Sequence, residues 1–229
     1  MARPSLSMSW KILKRSLRLA YDHIGMVLVM STLWSFTAFL PLVLVSAFAN
    51  FITNPNIIGA ALPLTVLTYG PATAAVHGVM AQIVAGEDAS VLDFFRYWRR
   101  HFGRGLVVFL VTIILLLIVV IDIYFGMVTT SKFWQLLMGL WVYFGVFVLL
   151  LSNYTYPFLV HQSIGVFQIF RRSALLVLDN LVVTLLVGLF LLVFTVFNFV
   201  IAAGLILLLG GVTACVQNVA YEEIMKKYD

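Results

Sequence analysis

The sequence predicts an all-α polytopic membrane protein, and three observations carry that expectation. Hydrophobic residues make up 63% of the 229 and charged residues 10%, with a mean hydropathy of +1.09. That leaves too little polar surface to coat a soluble globule of this length. The apolar residues gather into runs long enough to cross a bilayer, and the basic residues gather between those runs. Together these predict six transmembrane helices arranged as three hairpins with interfacial basic helices. Residues 1–229 form a single transmembrane domain with no soluble domain, and a chain of five spans is the alternative.

The elements follow in order. In the leader, Trp10, Leu13, Leu17, Ala20 and Ile24 recur at spacings of three and four, opposite Lys11, Lys14, Arg15 and Arg18. This pattern predicts a helix lying in the interface plane. The first apolar run covers about 24–49. It ends on Ala47-Phe48-Ala49, which resembles a signal-peptidase site, but the run exceeds a signal h-region, so an uncleaved first span is expected. A short outer loop, Asn50 to Asn56, leads to a second span over about 57–85. Gly70, Ala74 and Gly78 there are spaced by four and form a stripe that lets a neighbouring backbone approach, a helix-packing face.

Ser90 and Asp93 form a capping pair. Val91, Phe94, Phe95, Trp98 and Phe102 then oppose Arg96, Arg99 and Arg100, which predicts a second interfacial helix ahead of a third span at about 105–127. Asp122 lies near the outer end of that span, within reach of interfacial water. After an outer turn, Thr129 to Lys132, a fourth span runs over about 133–160. A third interfacial helix, Ile164 to Leu175, carries Phe167, Phe170 and Ala174 with Arg171 and Arg172. Spans five and six, about 180–203 and 205–221, must fold back around Gly204 or Gly210–Gly211. This last pair is the weakest, hence the five-span alternative.

Thirteen of the fourteen Lys and Arg residues fall on one side of this arrangement, with Lys132 alone on the other. The positive-inside rule then places both termini in the cytoplasm of a multi-pass protein of the cell membrane. Residues 12–30 and 169–187 align without a gap: Ile12, Arg15, Ser16, Leu19, Asp22 and Leu28 recur as Ile169, Arg172, Ser173, Leu176, Asp179 and Leu185. Two copies that each begin with a basic lead-in enter the bilayer from the same side. The basic helices are expected to contact the lipid bilayer through its anionic headgroups, or to form a docking surface. Basic residues clustered between apolar runs are topology signals, and no nucleic-acid partner is expected.

Polar groups inside hydrocarbon are costly, so each is a candidate site. The second span reads Thr68-Tyr69-Gly70-Pro71 and then His77; the fourth reads Asn153, Tyr156-Pro157 and then His161. Proline removes a ladder donor, partly freeing the carbonyls of Leu67 and Asn153. Paired interruptions in two returning spans point to a central pathway or binding site. Tyr69, Pro71, His77, Asn153, Tyr156, Pro157 and His161 are therefore the candidate polar and kink site. The two histidines lack carboxylate or cysteine companions, so no metal is expected. Cys215 is the only cysteine and is expected to pack. Asn198, Gln217 and Asn218 are expected to make interhelical hydrogen bonds. With no nucleophile–base pair, phosphate loop or carboxylate dyad, neither an enzyme nor a cofactor is expected.

Residues 70–102, GPATAAVHGVMAQIVAGEDASVLDFFRYWRRHF, together with Tyr156-Pro157 and Arg172-Ser173 followed by Asp179-Asn180, carry a resemblance. The chain resembles the YesL-like family of small bacterial membrane proteins, a domain of unknown function. The resemblance implies a role near carbohydrate uptake, since relatives are commonly encoded beside sugar ABC importers, and it transfers no catalytic residue. The leading expectation is a non-enzymatic auxiliary protein of oligosaccharide ABC import or its regulation, with a sugar ABC importer or a second copy of itself as protein partner. The alternative is a transport component, a small permease or substrate-capturing subunit. A wet cavity lined by Tyr69, His77, Asn153 and Tyr156 would favour the alternative, and a packed centre the first.

Overall fold

A computed structural model describes residues 4–47, 55–201 and 203–228. Most of the Ala47-Phe48-Ala49 element and of the 50–56 loop lies outside the described residues. The described chain is helical with no strand: α1 (Pro4–Asp22), α2 (Ile24–Ala38), α3 (Leu40–Ala47), α4 (Pro55–Ala85), α5 (Val91–Val128), α6 (Lys132–His161), α7 (Val166–Asp179), α8 (Leu181–Val200), α9 (Ala203–Leu207) and α10 (Leu209–Met225). Three of these, α5, α6 and α8, are long and apolar enough to cross a membrane, and α2 is a shorter apolar helix.

Both repeat copies break at the same place. His23 (φ −113°, ψ 31°) separates α1 from α2, and its counterpart Asn180 (φ −130°, ψ 40°) separates α7 from α8. The faces turned inward also correspond: Ile12 and Ile169, Ser16 and Ser173, and Met30 and Val187 are all fully buried. The packing face of α1 is thus Ile12, Ser16 and Ala20, whereas Trp10 and Leu17 of the expected apolar face are 70% and 46% exposed. They leave a second, exposed apolar stripe on α1.

Residues 91–128 form one continuous helix, where the sequence suggested an interfacial helix and a separate span. Thirty-eight residues extend about 57 Å at 1.5 Å each, well beyond a hydrocarbon core of about 30 Å. The first turns of α5 therefore project past the core. The reason lies in Gly103 and Gly105, which the helix passes through without a cap. Gly105 is needed for contact: a Cβ on Gly70 would lie 2.5 Å from the Gly105 carbonyl oxygen. The start of α5 is fixed as the sequence suggested, by Ser90 donating from both N and Oγ to Asp93 Oδ2 at 2.9 Å. Those bonds from Ser90 hold the Asp93 carboxyl below the usual range. Gly86, at φ 77°, closes the other side of this turn in the left-handed region that ends helices.

The core runs through α10, where nearly every residue from Gly210 to Ile224 is buried. It packs against α4, α1, α2 and α6. One end of the bundle is basic and locked to it. Arg15 reaches Glu223 at 2.6 Å and Glu222 at 2.9 Å, Lys11 reaches Glu223 at 2.8 Å, and Arg15 also donates to the Val84 carbonyl at the end of α4. At the same end, Arg104 donates to the carbonyl of Ile164 at 2.6 Å and Arg172 to Gln162 Oε1 at 2.5 Å.

Candidate functional site

Between α2, α4, α5, α6, α8 and α10 lies a cavity of about 280 Å³. Trp34 is ten residues into the 15-residue α2, about 15 Å along an axis of about 22 Å, so the cavity meets that helix about two-thirds of the way along. Six helices contribute. Trp34 comes from α2, Tyr69, Thr73 and His77 from α4, and Phe109 and Thr112 from α5; Ser152, Thr155 and Tyr156 come from α6, Thr195 from α8, and Thr213 and Gln217 from α10. The lining is hydroxyl-bearing and aromatic, with no Asp, Glu, Lys or Arg among the described residues.

Helix geometry explains the set. Tyr69, Thr73 and His77 are spaced by four and so share one face of α4. Gly70, Ala74 and Gly78 make the adjacent face, turned to α5: Gly70 against Gly105 and Phe109, Ala74 against Gly105, and Gly78 against the Tyr97 ring, 2.5 Å from where its Cβ would stand. The small-residue stripe thus draws α5 close while the polar stripe faces the cavity. Tyr69 stacks on Phe109 at 4.5 Å and meets Trp34 edge-on at 5.6 Å. Trp34 Nε1 donates to Thr73 Oγ at 3.1 Å. Two hydroxyls of the lining, Tyr156 OH and Thr213 Oγ, are buried with no hydrogen-bond partner among the described residues.

Toward the basic end the cavity is floored by an amide and imidazole network. His77 Nε2 lies 2.7 Å from Gln217 Oε1, and Gln217 Nε2 donates to Asn153 Oδ1 at 3.0 Å. Asn218 donates to the His77 carbonyl at 3.3 Å, and its Oδ1 meets His161 Nε2 at 3.1 Å. His161 stacks on Tyr221 at 4.8 Å, and Gln162 donates to Tyr221 OH at 2.8 Å. A polar layer therefore runs from the cavity floor to Arg172.

Of the residues singled out from the sequence, Tyr69, His77 and Tyr156 line the cavity, Asn153 lies directly beneath His77 and Gln217, and His161 belongs to the layer below. Pro71 and Pro157 sit in α4 and α6 without ending either helix. The basic set divides. Lys11 and Arg15 are paired to α10, Arg96 is paired to Asp93 at 2.7 Å, and Arg18 lies 3.7 Å from Asp22. Lys14, Arg99, Arg100 and Arg171 are exposed. Among the described residues no three His, Cys, Asp or Glu side chains come together as metal ligands would.

Sequence reasoning missed Thr112, Ser152, Thr155, Thr195 and Thr213 as cavity residues, and it missed the partnership of His77 with Gln217. A signal for the latter exists. Gly70-Pro-Ala-Thr-Ala-Ala-Val-His-Gly-Val aligns without a gap with Gly210-Gly-Val-Thr-Ala-Cys-Val-Gln-Asn-Val. Gly, Thr, Ala and both Val positions are identical, and His77 falls opposite Gln217. The residues in contact across the cavity floor are thus repeat counterparts, and the repeat takes in α4 and α10.

A family model described as "Protein of unknown function, DUF624" matches residues 27–123, which includes the cavity residues of α2, α4 and α5. No curated protein and no solved structure matches the chain.

Proposed function

We propose that this is a six-span protein of the cytoplasmic membrane, both termini in the cytoplasm, whose central cavity holds a small uncharged ligand, making it a transport component: a permease or a substrate-capturing subunit. The observation that carries this reading is the pair of unpartnered hydroxyls, Tyr156 OH and Thr213 Oγ, in the wall of a 280 Å³ cavity. Inside a bilayer each such group costs about 1–3 kcal/mol, and these two converge on one cavity, whereas the other unpartnered buried atoms, such as Ser173 Oγ, lie apart from it. The volume lies just under the lower edge of drug-sized pockets, about 300 Å³. Aromatic faces and neutral hydroxyls without a counter-ion suit a neutral polyhydroxylated molecule.

The second reading, an accessory role in carbohydrate ABC import, rests on the YesL-like resemblance. In that case the protein would bind the importer, or a second copy of itself, through the exposed basic faces, with anionic lipid as the other contact. Neither reading asks for an enzyme. Thermal unfolding of the purified protein in detergent, against panels of neutral sugars, amino acids and organic anions, tests the choice. A neutral polyol should raise the midpoint by linkage, and Tyr156→Phe combined with Thr213→Val should remove that rise. No shift with any class would return the accessory reading to first place.

A further inference from the structure

We propose that His77 is a proton-binding site in the cavity wall, joined to Gln217 and Asn153 in a hydrogen-bonded chain that is complete only when the imidazole carries protons on both nitrogens. The direction of each bond dictates this. Nδ1 lies 2.8 Å from the Thr73 carbonyl oxygen, which can only accept, so Nδ1 must donate. At the far end, Asn153 Nδ2 faces the carbonyls of Leu150 at 3.2 Å and Leu149 at 3.4 Å, which turns its Oδ1 toward Gln217. Gln217 then donates through Nε2 and presents Oε1 to His77 Nε2 at 2.7 Å. The chain thus ends on carbonyl acceptors on both sides.

Two amides pass on one hydrogen each, so the imidazole must donate in both directions. Turning the Gln217 amide over to serve a neutral imidazole would set its oxygen against Asn153 Oδ1. Turning Asn153 as well would set that oxygen against two carbonyls. A neutral His77 therefore leaves one link open.

Among the described residues no acid faces the imidazole, which is 2% exposed, so burial opposes its charge, and the hydrogen-bonded chain and one aromatic face are what offset that cost. The Tyr156 ring stacks on the imidazole at 5.3 Å between centroids and 27°, a cation over an aromatic face. The ionisable groups nearest His77 are Tyr156 of α6, whose ring stacks on it, and His161 of the same helix; Tyr69 of its own helix shares the cavity wall, and Tyr97 of α5 packs on the adjacent Gly78. On α10 it meets the neutral amides Gln217 and Asn218, and from α2 the cavity receives Trp34. His77 lines the cavity, with its two ring nitrogens turned to Thr73 and Gln217. Because Gln217 also lines it, a ligand that hydrogen-bonds the Gln217 amide would link its own occupancy to that of the proton. In that respect the inference deepens the transport reading.

Imidazole ¹⁵N shifts of histidine-labelled protein in bilayer nanodiscs test it, with His77 assigned from the difference between wild type and His77→Gln. If His77→Gln does not fold, single replacements of His23, His101 and His161 by Gln assign it by elimination. His77 should change from one protonated nitrogen to two as the pH is lowered across the range in which the protein stays folded. Gln217→Leu should move that midpoint toward acid by a tenfold or larger loss of proton affinity, and Gln217→Glu should move it toward alkali. A single tautomer across the range, or a midpoint that neither variant moves, overturns the proposal. No ligand is added, so this failure would leave the cavity reading to its own unfolding test.

Discussion

Helices α1 and α7 share the motif Ile-x-x-Arg-Ser-x-x-Leu-x-x-Asp, and both turn its Ile and Ser inward. Their arginines have different work. Arg15 is drawn into a cluster with Glu222 and Glu223 at the end of α10, together with Lys11, so α1 is fastened to the central helix. Arg172, its counterpart, meets a neutral amide, Gln162, and remains exposed beside Arg171. A basic residue in this repeat is thus a structural clasp or is left exposed according to whether an acid stands opposite. Only the first copy has one.

The largest effect that would break this contrast is at Glu223, whose side chain is 5% exposed. Burial alone would raise its carboxyl, but the bonds from Lys11, Lys226 and Arg15 overcome that and hold it at about 2. Glu223→Gln should cost on the order of 3 kcal/mol, the low end for a broken buried pair, because Lys11 is largely in solvent. The sign for pH follows: a depressed carboxyl contributes stability above its unfolded value, near 4.5, that is lost as pH falls toward 2. Detergent-phase unfolding should show this acid loss in wild type and a smaller one in Glu223→Gln. Equal acid sensitivity would mean the clasp carries little stability.

A smaller effect separates the repeat counterparts Pro71 and Gly211. The Gly211 N–H donates to Ser31 Oγ at 2.8 Å, and a Cβ there would lie 2.7 Å from the Val27 carbonyl oxygen. Gly211→Ala should therefore cost about 2 kcal/mol, as overpacking does. Pro71→Ala restores a ladder donor and should change stability by less than about 0.5 kcal/mol. The same unfolding measurement ranks the two, and a reversed order would sink the correspondence of their surroundings.

The smallest effect on stability is expected at α7. Replacing Arg171 and Arg172 together by Gln should leave the unfolding midpoint nearly unchanged, while weakening attraction to anionic bilayers by about 1 kcal/mol per charge. Partition between neutral and anionic nanodiscs reads this out. A large loss of stability would show α7 to be clasped as α1 is.

The parts legible in the sequence are those that face lipid. Helices α5, α6 and α8 advertise themselves because lipid demands carbon on their outer surfaces. Helix α10 touches mostly protein, so it can carry Gln217, Asn218, Glu222 and Glu223, and its span was the doubtful one because residues 180–221 must fold back around Gly204 or Gly210–Gly211. Glu222 and Glu223 went unread, and with them the clasp that pairs Lys11 and Arg15. His77 and Tyr156 were legible because polar groups at that depth are conspicuous. Thr112, Thr195 and Thr213 were not, because a lone threonine in an apolar helix can satisfy itself on its own backbone, as Thr112 does on Val108 at 2.9 Å. Only three-dimensional convergence distinguishes those that share a cavity.

Thiol accessibility at two neighbouring positions of α10 tests the cavity most directly. Cys215 is 1% exposed and should resist a small hydrophilic thiol reagent until the protein unfolds, whereas Thr213→Cys, in a Cys215→Ser background, faces the cavity and should react in the folded state. Thr213→Cys reacting no faster than Cys215 would mean a dry, packed centre and would contradict the binding site proposed there.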